Sequence, residues 1–94
     1  MNRLSWSTKK NQVLIEERGI SFERVVAAIE QGQVVDVVDH PNPQKYPGQS
    51  IYIVDIDRYI YLVPFVGDKQ GNRFLKTIIP SRKATRDYLK GGSR

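Results

Sequence analysis

Arg82 and Arg86, four residues apart, carry the most distinctive chemistry in this 94-residue chain. Residues i and i+4 of a helix share a face, so two guanidinium forks at that spacing can hold one phosphate bidentately. Lys83 adjoins Arg82 but lies about 100° around the helix, adding to the field more than to the grip. Lys76 projects from a predicted strand together with Phe74 and Ile78, and Arg82, Arg86 and Lys76 form the candidate catalytic set. If the bound polyanion is RNA, cleavage without a metal has the 2′-hydroxyl attack the adjacent phosphate. The protein must then supply a base, an acid and positive charge for the phosphorane. Lys83, Lys10, Arg18 and Arg73 are the further cations that would bind such an RNA.

Charge is plentiful here and a base is scarce. His40 is the lone imidazole and precedes Pro41 in a predicted loop, where it serves loop polarity. Tyr88 follows Arg86 by two residues and turns away from the clamp, toward core packing. Glu16 and Glu17 are adjacent, so they diverge on a helix and balance Arg18 and the N-terminal lysines instead of forming a dyad. The absence of cysteine excludes disulfides and thiolate metal sites, and one histidine excludes a His-rich zinc site. No phosphate loop, dinucleotide fingerprint, HExxH, calcium loop or GxSxG occurs, so no metal and no cofactor is expected.

The net charge of +5 is unevenly distributed. Residues 73–94 hold seven bases against Asp87 alone, a net +6, whereas residues 1–72 sum to −1. Such asymmetry fits a surface facing a polyanion or an acidic protein partner. The competing explanation is a solvated C-terminal helix whose cations complement its macrodipole. The apolar runs are too short to span a bilayer and the start has no signal-peptide pattern, so a cytoplasmic protein with no membrane partner is expected.

Stepping along the chain, residues 7–18 lack Gly and Pro and end at Gly19, which predicts a first helix. Ser21 can cap a second, in which Phe22, Val25, Val26 and Ile29 recur at helical spacing until Gly32. The period then falls to two over the β-branched run Val34–Val38. The segment 40–48, with three prolines and a glycine, must be a loop. Residues 50–56 and 59–66 predict a hairpin turning near Asp57 and Arg58, and 73–79 a further strand stopped by Pro80. Ser81 can cap a last helix with Ala84, Tyr88 and Leu89 on one face. The expected fold is α+β: two N-terminal helices, a roughly four-stranded antiparallel sheet and one C-terminal helix. Trp6, Phe22, Val26, Ile29, Ile53 and Leu62 are expected to share one core, with Trp6 and Lys10 on one stripe of the first helix. Both alternating sets of the hairpin are apolar, so the second face is either covered by the C-terminal helix or kept as an aromatic surface for bases or a partner.

Two motifs go further. Trp6-Ser7-Thr8-Lys9-Lys10 followed by Arg18-Gly19-Ile20-Ser21-Phe22-Glu23 resembles the entry motif of the BrnT family of toxins, W-D-x-x-K and then H-G-V-S-F-E. The end, Ile78-Ile79-Pro80-Ser81-Arg82-Lys83-Ala84-Thr85-Arg86, is similar to that family's R-I-I-S-A-R-x-A-T-R. The resemblance implies a single toxin domain over 1–90, related to the RelE and ParE toxins; residues 91–94 lack apolar anchors and are expected to form a flexible tail. It also implies an endoribonuclease that stops translation, acting on RNA that is free or on the ribosome, and neutralised by a cognate, DNA-binding antitoxin. Arg18 stands where the family has histidine, Ser7 where it has aspartate, Leu14 for asparagine and Thr77 for arginine. The replacements at Arg18 and Thr77 favour the alternative of a non-catalytic basic RNA-binding or partner-docking module.

Overall fold

The change of period near Gly32 marks the passage from helices to sheet. The computed structural model describes residues 3–90, so the expected tail lies outside the described residues. Among them, β1 (Leu4–Trp6) precedes α1 (Thr8–Arg18) and α2 (Phe22–Glu30). Then come β2 (Val34–Asp39), β3 (Gln49–Ile56), β4 (Tyr59–Gly67), β5 (Arg73–Leu75) and β6 (Ile79–Pro80). The last element, α3 (Arg82–Thr85), continues as a π-helical turn over Arg86–Lys90. No helix among the described residues is long and apolar enough to cross a membrane.

Each helix starts where a serine can satisfy an orphan backbone N–H. Ser7, Ser21 and Ser81 accept from the amides of Lys10, Arg24 and Ala84, each at 3.1 Å. Gly19 ends α1 in the left-handed conformation at φ 67°, its amide donating to the Ile15 carbonyl.

The class is α+β as expected, but the sheet is larger and mixed. Its order is β1-β5-β4-β3-β2, with β6 pairing β4 beyond the end of β5. The β3–β4 hairpin is in register from Gln49↔Val66 to Ile56↔Tyr59. Periodicity missed β6, since the strand expected over 73–79 breaks after Leu75 and resumes at Ile79, and it missed β1, which runs parallel to β5 with Trp6 opposite Leu75. Three residues are too few to show a period of two, and the partner lies almost 70 positions away. Trp6 is therefore a strand residue that shares no helical stripe with Lys10, and its ring stacks on Phe22 at 5.7 Å. Pro80 does not stop a strand but sits in one, opposite Tyr61. A short edge strand tolerates the missing N–H.

The expected single core divides into two, because alternation sends neighbouring strand residues to opposite faces. On one face α1 and α2 bury Leu14, Phe22, Val25 and Ala28 against Tyr52, Val54, Val63, Phe65 and Leu75, with Trp6, Val26 and Ile29 at the margin. Ile53 and Leu62 belong to the other face, where Ile51, Ile53 and Ile60 lie beneath Ala84 and Leu89. The C-terminal helix thus covers the second apolar face of the hairpin. A π turn closes i→i+5 bonds, so residues five apart, Ala84 and Leu89, reach the same side. Tyr88 is consequently left 43% exposed instead of buried, and its hydroxyl donates to Asp36 Oδ2 at 3.2 Å.

Asn11 joins the two N-terminal helices. Buried on α1, it accepts from the Phe22 amide at 2.7 Å and donates to Glu23 Oε1 at 2.8 Å. Asn11→Ala leaves a buried N–H unpaired and is expected to cost about 1–3 kcal/mol, read as a lower denaturation midpoint. The Asn11 hydrogen bond, with that of Glu23's own backbone, holds the Glu23 carboxyl below its ordinary value of 4.5. A depressed folded-state pKa gives stability that is present above the unfolded value and lost as pH falls through the folded one. The stability gap between parent and Asn11→Ala should therefore narrow between neutral pH and acid. A gap that widened in acid would contradict this linkage.

Candidate functional site

The β3–β4 turn builds one wall of the site. Asp57 and Arg58 occupy its two central positions at φ 54° and 66°, the left-handed pair that a two-residue hairpin turn requires. Aspartate tolerates this region, but arginine does so at a cost of about 1 kcal/mol that glycine would avoid. The Arg58 amide donates to Asp55 Oδ1 at 2.9 Å, which pins the turn.

The opposite wall is α3, held to the same hairpin by Ile60. The Ser81 amide donates to the Ile60 carbonyl at 3.0 Å, and the Ile60 amide donates to Thr85 Oγ1 at 2.8 Å. Thr85 Oγ1 in turn donates to the Ser81 carbonyl at 2.8 Å, so the buried threonine has its hydroxyl fully engaged. This bracing places Arg82 and Arg86, three residues before Thr85 and one after it, beside the turn. A cleft of about 400 Å³ results, lined by Arg58, Tyr59, Arg82, Thr85 and Arg86.

Three guanidinium groups border this one cleft. Among the described residues neither Arg58 nor Arg82 has an acid within ion-pair distance, and Arg86 has only the long 3.6 Å contact of Nε with Asp87. Convergent like charges raise the local potential and are relieved when an anion enters. Tyr59 borders the cleft, but it pairs with Ile56 on the α1–α2 face of the hairpin, where its ring meets Tyr61 edge-on at 5.5 Å. Tyr88 stays outside: desolvation, with the hydrogen bond and charge of Asp36, raises its phenol above the ordinary value. It remains a neutral donor that ties the π turn to β2.

The other cations read from the sequence lie elsewhere. Lys83 is exposed on α3 but does not line the cleft. The Lys76 amide donates to the Pro64 carbonyl, five residues along β4 from Tyr59, a span of about 17 Å at strand rise. Its amine lies 5.7 Å from the Phe74 ring centroid. Arg73 donates to the Tyr52 hydroxyl at 2.6 Å and stands 5.2 Å from the Phe65 ring centroid, so it packs against the first core. Arg18 Nη1 donates to the Ile78 carbonyl at 2.6 Å and fastens α1 to the segment before β6. Lys10 is exposed on α1. His40 stacks on Tyr46 at 4.3 Å and accepts from the Asn42 amide, in the loop.

The cleft brings together Arg82 and Arg86, which the sequence pairs by spacing, with Arg58, Tyr59 and Thr85, which it does not single out for the site. Arg58 was hidden because it belongs to the stretch whose charges nearly cancel. The available signal was an arginine at a turn position that favours glycine.

No protein-family model matches the sequence, and no curated protein matches it. Among solved structures the chain is similar to the 1.1 Å crystal structure of the Brucella abortus ribonuclease toxin, BrnT. The TM-score is 0.62 at 15% identity, over 86% of this chain and 97% of that one. The chain has the BrnT-type toxin fold.

Proposed function

We propose that this protein is the toxin of a toxin–antitoxin pair and a metal-independent endoribonuclease that inhibits translation in the cytoplasm. The observation that carries the reading is the cleft in which Arg58, Arg82 and Arg86 converge. The fold shared with a ribonuclease toxin supports it.

In this mechanism Arg82 and Arg86 hold the scissile phosphate and stabilise the charge that grows on its equatorial oxygens as the 2′-oxygen attacks. Attack expels the 5′-oxygen and leaves a 2′,3′-cyclic phosphate. One proton leaves the 2′-hydroxyl and one reaches the departing oxygen. Water carries both protons, since arginine stays charged, the Thr85 hydroxyl is committed and the Tyr59 ring lies with Tyr61 on the other face of the hairpin. Arg58, at the mouth on a strained turn, binds the neighbouring phosphate.

Expression is the first test: an active toxin arrests growth unless its antitoxin is co-expressed, and a tolerated protein would contradict the reading. The antitoxin is expected to be a DNA-binding protein that covers the arginine cleft with acidic and apolar residues. RNA affinity should fall linearly with log salt, by about 0.7 in slope for each phosphate contact with a single strand. Arg58→Gly should lose about one such increment while stability holds or rises, because the turn prefers glycine. An unchanged slope would remove Arg58 from the site. A shallower salt dependence for the antitoxin than for RNA would show that apolar contacts dominate that interface.

One observation favours binding without cleavage. At the position where the resemblance has histidine, Arg18 is spent on the Ile78 carbonyl and supplies no proton-transfer group. The two readings separate in a cleavage assay on RNA that the protein binds.

A further inference from the structure

The hairpin turn that carries Arg58 into the phosphate cleft carries Asp57 into a second concavity. This groove, of about 430 Å³, runs between the α1–α2 junction and the start of β4. Ile15, Ile20, Ile56 and Tyr61 supply its apolar walls, and Arg24 and Asp57 its polar rim. Ile15 is 41% exposed, an uncovered apolar side chain on a helix that otherwise presents polar residues to solvent. Arg24 Nη2 donates to Asp57 Oδ1 at 3.2 Å, with the carboxylate 85% exposed. An ion pair so solvated adds little to stability. It does place a row of donors beside a two-oxygen acceptor at the edge of an apolar slot.

We infer that this groove is a nucleobase subsite that takes guanine; the inference rests on the RNA reading of the neighbouring cleft. A base has apolar faces and a polar edge, which matches a slot with an aromatic wall and a polar rim. Guanine alone among the RNA bases presents two adjacent N–H donors, N1–H and N2–H, beside an acceptor, O6. The Asp57 carboxylate accepts from both donors and the Arg24 guanidinium donates to O6. Cytosine, adenine and uracil each offer the carboxylate donors from only one ring or exocyclic nitrogen. Connection to the cleft is direct. Asp57 and Arg58 are consecutive, and Tyr59, on the cleft wall, touches Tyr61, on the groove wall. A strand whose phosphate lies at Arg58 can thus place a base at Asp57.

The test is equilibrium binding of the full chain to labelled uridine hexamers that carry one guanosine, cytidine, adenosine or abasic residue at the same position. The expected result is affinity at least about tenfold tighter for the guanosine hexamer than for the abasic one. Asp57→Asn keeps a residue suited to the left-handed turn but loses one acceptor. It should abolish the guanosine preference and leave uridine hexamer affinity within about twofold of the parent. Equal affinity for all hexamers, or a preference that survives Asp57→Asn, overturns the subsite while leaving the phosphate cleft standing. Failure to bind any hexamer overturns the RNA reading and the subsite with it.

Discussion

Arg82→Lys and Arg86→Lys should each lower RNA cleavage by about 10²- to 10³-fold, the cost of removing one donor from a developing oxyanion. Lysine keeps the charge and loses the planar fork, so RNA affinity falls modestly while turnover falls steeply. Both side chains are exposed, and α3 is fixed by Ser81 and Thr85, so the thermal midpoint should barely change. Lys83→Gln is the matched control. It removes a cation from the same helix outside the cleft and should weaken binding slightly without a selective loss of turnover. Single-turnover cleavage at saturating protein separates the two effects. Folded lysine variants with the parent's turnover would rule out the phosphate clamp.

Phe22→Ala should be the most destabilising single truncation. The ring is fully buried, stacks on Trp6 and faces the core of the first sheet surface. Its backbone amide is held by Asn11, so the main chain cannot easily relax into the space left behind. Truncation is expected to cost about 3–5 kcal/mol. Against a total of about 5–15 kcal/mol for a domain, this brings the chain close to unfolding. The denaturant midpoint reports the loss directly, and a midpoint equal to the parent's would show that the ring does not hold the two N-terminal helices to the sheet.

Local signals in the sequence located α1, α2 and the hairpin, because each is encoded over a short stretch. The Gly- and Pro-free run that ends at Gly19, Ser21 with a helical apolar spacing, and the double alternation around Asp57 and Arg58 are each read over a short stretch. What stayed hidden depends on partners distant in sequence. The strand at Leu4–Trp6 exists only because β5 offers a free edge. The π turn exists because Ala84 and Leu89 both find apolar cover on the sheet. The division into two cores follows from parity along β3 and β4, which places Ile53 opposite Leu62 and away from Tyr52.

The candidate site residues divide the same way. Arg82 and Arg86 were legible from spacing and from the charge excess of the last quarter of the chain. The same arithmetic drew in Arg73, on β5, and Lys76, just past its end, which stand by Phe65 and opposite Pro64 and do not line the cleft. Arg18 was legible as a cation but not as the donor to a carbonyl 60 residues away. Arg58 and Tyr59 join the cleft only when Thr85 brings α3 onto Ile60.

The reaction proposed for this cleft cleaves RNA through the ribose 2′-hydroxyl. The direct measurement incubates the purified protein, with chelator present, with one RNA that it cuts and with the same RNA carrying a single 2′-deoxy substitution at the cut position. The account predicts a 2′,3′-cyclic phosphate and a 5′-hydroxyl from the first, and an intact bond at the substituted position of the second. Cleavage of the deoxy position at the parent rate, or tight binding to RNA with no cut in any substrate, would contradict it.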